Sequence, residues 1–81
     1  MGSVFWVQGI TFRVNQDERN EAPHIHCYRG DCEARFNIRD LVWMDGKGFT
    51  RSDIRKLEER ILARLEECRA EWEQMYGQYK W

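Results

Sequence analysis

His24 and His26, two residues apart and directly after Pro23, are the side chains of this sequence best suited to proton transfer or metal binding. On a strand, that spacing puts both imidazoles on one side with their Cα atoms about 7 Å apart. Two titratable rings beside a guanidinium are the minimum for acid–base cleavage of a phosphodiester, so His24, His26 and Arg35 are the candidate catalytic residues. A metal pair would need a third ligand. Glu33 is the nearby carboxylate for that role, while Cys27 and Cys32 alternate away from the histidines. The plainest alternative is structural: His24 fastens the Pro23 turn by a hydrogen bond and His26 packs on a sheet. Cys27, Cys32 and Cys68 are an odd set, and no second Cys or Cys–His pair completes a zinc site. The expectation is three reduced thiols, with no metal and no cofactor.

The elements that would position these groups follow from periodicity. Gly30-Asp31 separates two alternating runs and suits a two-residue hairpin turn. Turning there places Arg29 opposite Cys32, Cys27 opposite Ala34 and Ile25 opposite Phe36. One face then stacks Ile25, Cys27, Ala34 and Phe36, and the other His24, His26, Tyr28, Glu33, Arg35 and Asn37. A one-residue slip would mix apolar and polar residues, which supports this register. Ile10, Phe12 and Val14 alternate with Thr11 and Arg13, so Arg13 joins the polar face. Arg13, His24, His26, Tyr28 and Arg35 form a candidate binding platform, with cationic donors and a flat ring suited to phosphate and single-stranded bases. The expectation is that the four apolar residues are buried while His24, His26, Glu33 and Arg35 are largely exposed.

Elsewhere, Gly9 ends the apolar run Val4 to Val7, Asn15 to Ala22 reads as a polar surface loop, and Leu41 to Met44 as a short strand of ambiguous parity. The Asp45-Gly46-Lys47-Gly48 turn closes that strand. Thr50 is a natural N-cap, with Asp53 placed to complete a capping box. Ile54, Leu57, Ile61, Leu65, Cys68, Trp72, Met75, Tyr76 and Tyr79 then follow in one helical stripe, and Gly77 is the stop. No breaker interrupts the stripe, which predicts one helix of roughly 26 residues, about 40 Å long. The fold class is therefore α+β: a three- to four-stranded antiparallel meander packed on one long C-terminal helix. Its strands lie at about 4–45 and its helix at about 51–77, in a single domain over 1–81. A six-residue strand spans only about 20 Å. Half of such a helix would stand clear of the sheet, which makes Trp72, Met75, Tyr76 and Tyr79 a candidate interface with a second protein or a second copy. The alternative is that Val4, Phe5 and Trp6 fold back over them.

Composition limits the function classes. Eighty-one residues exclude a two-domain enzyme with an interdomain cleft. Hydrophobic residues at 42% and charged residues at 33% are too apolar for disorder and too charged for a membrane span. Thirteen Lys and Arg against fourteen Asp and Glu give a net charge of -1, so attraction to nucleic acid or anionic lipid is not the default. The opening Met-Gly-Ser-Val-Phe-Trp-Val lacks a basic segment before a long apolar run, and a cytoplasmic protein without signal peptide is expected.

Several motifs together resemble a known family. They are Gly9-Ile10 leading into Phe12-Arg13-Val14, Ala22-Pro23-His24-Ile25-His26, Tyr28 and Gly30, and Ala34-Arg35-Phe36, with Gly48-Phe49-Thr50 and the Glu66 to Trp72 segment farther on. The chain is similar in these to the small bacterial proteins catalogued as domain of unknown function 4160. Members usually carry Pro-Pro where this chain has Ala22-Pro23, and the preceding loop is more charged here. The resemblance implies a small cytosolic protein, often encoded beside a second small protein in toxin–antitoxin-like pairs, and it supplies no catalytic set. The expected function is a non-enzymatic interaction protein, one partner of such a pair. The alternatives are a ribonuclease-type toxin or RNA-binding protein using His24, His26 and Arg35, and a phage- or mobile-element-encoded inhibitor of a host complex.

Overall fold

A computed structural model describes residues 3–15 and 20–81, with residues 3 and 4 described by backbone alone. Part of the loop expected over Asn15 to Ala22, and the side chain of Val4, lie outside the described residues. Five strands run in chain order: β1 (Ser3–Val7), β2 (Ile10–Arg13), β3 (His24–Arg29), β4 (Cys32–Asn37) and β5 (Val42–Lys47). They form one antiparallel meander in the order β1-β2-β3-β4-β5. Two helices follow, α1 (Arg51–Ala63) and α2 (Leu65–Tyr76).

The fold is α+β as the periodicity predicts, with two corrections. The first apolar run is a fifth strand, because the Gln8-Gly9 turn returns it onto β2 and lets Phe5 stack on Phe12 with ring centroids 4.3 Å apart. The helix is not continuous. Arg64 has φ -125 and ψ 30, and its N–H bonds Ile61 O, a three-residue closure that ends α1. No glycine or proline marks this break. Leu65, Cys68 and Trp72 of α2 reach the same core as Leu57 and Ile61 of α1.

The central hairpin has the expected register in every pair: Arg29 with Cys32, Tyr28 with Glu33, Cys27 with Ala34, His26 with Arg35, Ile25 with Phe36 and His24 with Asn37. Gly30 supplies the positive φ of 58 that the turn needs. Phe12, Ile25, Cys27, Ala34 and Phe36 line the face under the helices and are fully buried. The Thr50 capping box has both arms, Thr50 Oγ1 accepting from Asp53 N and Asp53 Oδ2 from Thr50 N. Helix α2 ends at Gly77, as expected.

β5 is longer than the expected Leu41 to Met44 strand and consumes most of the expected turn. A bulge opposite Arg35 and Phe36 resolves its parity: Phe36 pairs with Trp43 and Arg35 with Asp45, leaving Met44 as the extra residue. Trp43 therefore faces the helices, where its Nε1 donates to Glu58 Oε1 at 2.9 Å, while Asp45 faces the other side.

Candidate functional site

The face of the sheet opposite Phe12, Ile25, Cys27, Ala34 and Phe36 carries two ordered rows. Trp6, Thr11, Tyr28, Glu33 and Lys47 lie across the five strands in one row; Arg13, His26, Arg35 and Asp45 lie in the next. Arg13, His24, His26, Tyr28 and Arg35 are thus brought onto one face, as the alternation predicts. Glu21, from the chain entering β3, comes down onto the same face.

Exposure is where the expectation fails. His24 is 0% and His26 4% exposed, so neither ring is a surface group. Their surroundings explain it. The His24 ring lies against Trp72, with centroids 5.5 Å apart, and His26 stacks parallel on Tyr28 at 5.7 Å. Glu33 is exposed, as expected, and Arg35 is half-buried.

Every ring nitrogen of the pair has a defined neighbour. His24 Nδ1 is 2.7 Å from Ala22 O, and His26 Nδ1 is 3.3 Å from Glu33 Oε2. The two Nε2 atoms are 3.2 Å apart. The expectation that His24 fastens the Pro23 turn is therefore met, and Pro23 O is further held by Ile38 N at 3.0 Å. Arg35 Nε donates to Asp45 Oδ2 at 2.8 Å and its Nη1 to Glu21 Oε1 at 3.4 Å. His26, Glu33, Arg35, Asp45 and Lys47 line a shallow hollow of about 380 Å³. Burial, above all, raises the Tyr28 phenol above its ordinary value, and its oxygen accepts from Asn15 Nδ2 at 2.7 Å.

The proposed helix stripe has a different fate. Trp72 is 3% exposed and is covered within the chain by the start of β3, a neighbour that the periodicity does not reveal. Tyr76 stacks on Trp72 and its hydroxyl donates to Asn15 O; Met75 is half-buried against the core. Tyr79 packs on Trp81 and accepts from Arg39 Nη1 at 2.8 Å. Trp72 in the core, with Met75 and Tyr76 packed against it, leaves this stripe largely covered by the chain itself.

The missed residues are Glu21 and Asp45, which complete the polar face. Glu21 sits in an irregular segment, where periodicity carries no signal, and Asp45 reaches its position through a bulge. A family model for a domain of unknown function, DUF4160, matches residues 9–73. The chain belongs to the DUF4160 family. The DUF4160 match takes in β2 to β5, α1 and most of α2, and with them both rows of the polar face. No curated protein and no solved structure matches the chain. No described helix is long and apolar enough to cross a membrane, and no three described His, Cys, Asp or Glu side chains stand together as a metal-binding group.

Proposed function

We propose that this DUF4160 chain is a cytoplasmic protein-binding partner that docks a second small protein along β5, as one half of a two-protein module of the toxin–antitoxin kind, and catalyses nothing itself. The reading rests on the outer edge of β5. Leu41, Val42 and Met44 are solvent-exposed there, Val42 to 54%, beside a strand whose far side has no neighbour among the described strands. Leu41 is held at φ 60, a left-handed conformation that a bulky side chain rarely adopts. An exposed apolar strip on an open sheet edge suits strand addition by another chain.

The polar face supports this reading over RNA cleavage. Arg35 is neutralised by Asp45 and Glu21, and His26 faces Glu33, so the face holds little net charge for phosphate. The imidazoles are buried, His24 against Trp72 and His26 beside Tyr28, which leaves little of either ring open to a scissile phosphate.

Co-expression with the product of the adjacent gene tests it. A complex should co-purify, and Val42→Asp with Met44→Lys should weaken it at least ~100-fold, equivalent to about 3 kcal/mol. Trp6→Ser on the opposite edge should leave it intact. A complex indifferent to the β5 substitutions, or no complex with the neighbour, overturns the reading. A shift to monomer by sedimentation in the β5 variant alone would identify the partner as a second copy.

A further inference from the structure

The two histidines carry a second site, independent of the β5 edge. A carbonyl oxygen only accepts, so the 2.7 Å contact to Ala22 O puts a hydrogen on His24 Nδ1. A carboxylate likewise only accepts, which puts a hydrogen on His26 Nδ1 at 3.3 Å from Glu33 Oε2. In neutral rings, both Nε2 atoms are then lone-pair donors, and they face each other at 3.2 Å inside the protein. Two lone pairs at that separation favour a cation shared between them.

The separation fits a metal ion. Two nitrogens bound at ~2.0–2.1 Å on a tetrahedral zinc lie about 3.3 Å apart. The ring centres are 4.8 Å apart and the rings inclined by 63°, nearer the ~5.2 Å of two rings on one tetrahedral ion than the ~5.5 Å of a straight N–H···N bond. The outer contacts fit as well: metal-binding histidines commonly donate their other N–H to a backbone carbonyl or a carboxylate, the partners that Ala22 and Glu33 supply here. A third donor is near. Glu21 Oε1 is 3.9 Å from His24 Nε2, and its side chain is partly exposed, with a long 3.4 Å contact to Arg35 Nη1. Trp72 and Tyr28 wall the site with aromatic surface.

We propose that His24 Nε2 and His26 Nε2 bind one divalent transition-metal ion of the zinc class, with Glu21 turning in as third ligand and water as the fourth. Ala22 and Glu33 orient the two rings, and Arg35 gives up its longer contact to Glu21 while keeping Asp45.

The test uses the full chain, stripped with a chelator and titrated separately with zinc and cobalt. One equivalent should bind with micromolar or tighter affinity and raise the melting temperature. The cobalt form should show a tetrahedral visible band without the thiolate charge-transfer band that Cys27, Cys32 or Cys68 would produce. His26→Gln should weaken binding at least ~100-fold and Glu21→Ala ~10-fold or more. Glu21 is exposed, so Glu21→Ala should leave the metal-free melting temperature unchanged and decides the matter if His26→Gln does not fold. No binding of either ion at about 100 μM, a thiolate band, or binding indifferent to both substitutions overturns the site.

Discussion

Cys27 and Cys68 show how burial sets the chemistry of a single side chain. Burial, reinforced by the neighbouring Cys68, pushes the Cys27 thiol far above its ordinary value of 9.0. Burial and then Glu67 push Cys68 up to about 12. Both are held as neutral thiols in the folded chain, whereas an unfolded thiol ionises near 9.0. Alkali therefore favours the unfolded state. The stabilisation is fully present below about pH 9 and is lost as pH rises from there towards and beyond 12. Denaturant midpoints measured at about pH 8 and pH 10.5 should fall at the higher value, and Cys27→Ala with Cys68→Ala should flatten that fall. A thiol reagent should find one fast group, the half-exposed Cys32, until the chain unfolds.

The decisive local feature among the elements is the junction of β5 with α1. Arg29 Nη2 donates to Asp53 Oδ2 at 3.0 Å, so the capping carboxylate also ties the hairpin to the helix start. The backbone N–H of Thr50, then Arg29 and the Thr50 hydroxyl, hold the Asp53 carboxyl below its ordinary range. Gly48 makes the turn before it at φ 88, where an added Cβ would stand 2.8 Å from Cys32 Sγ and 3.3 Å from the Cys32 backbone. Gly48→Ala combines a left-handed φ with a collision against backbone and should cost ~2–3 kcal/mol. Gly30→Ala meets open space and carries the φ cost alone, about 1 kcal/mol. Urea melts of the two variants should rank them in that order; equal losses would show that the β4 contact is unimportant.

At the scale of the molecule, the break at Arg64 matters most. It gathers both helices over one sheet, in a body of 33 × 23 × 21 Å that is shorter than the single helix the stripe predicts. Arg64 lies over the Phe5 ring at 4.8 Å, and Arg69 Nε donates to Ile38 O at 2.9 Å, so the N-terminal half of α2 is tied to β1 and to the segment that leaves β4. Trp72 is then part of the core. Trp72→Ala should cost ~3–5 kcal/mol, a large share of what so small a domain has, and should broaden or abolish the thermal transition. An interface role would instead leave the melting temperature of the isolated chain unchanged.

What the sequence determined by itself is what depends on near neighbours. The Gly30-Asp31 turn and strict alternation dictated all six pairs of the β3–β4 hairpin, and Thr50 with Asp53 dictated where the helix begins. Pro23 and His24 announced their own turn. Tertiary structure decided the rest. The break at Arg64 carries no glycine or proline, and Ile61, Leu65 and Cys68 continue one stripe across it into a single core, so nothing local announces it. The Met44 bulge, which turned Trp43 inward and Asp45 outward, follows from pairing with β4 rather than from β5 itself. The burial of His24 came with Trp72, nearly fifty residues on, whose distance in sequence hid it from any reading of period two.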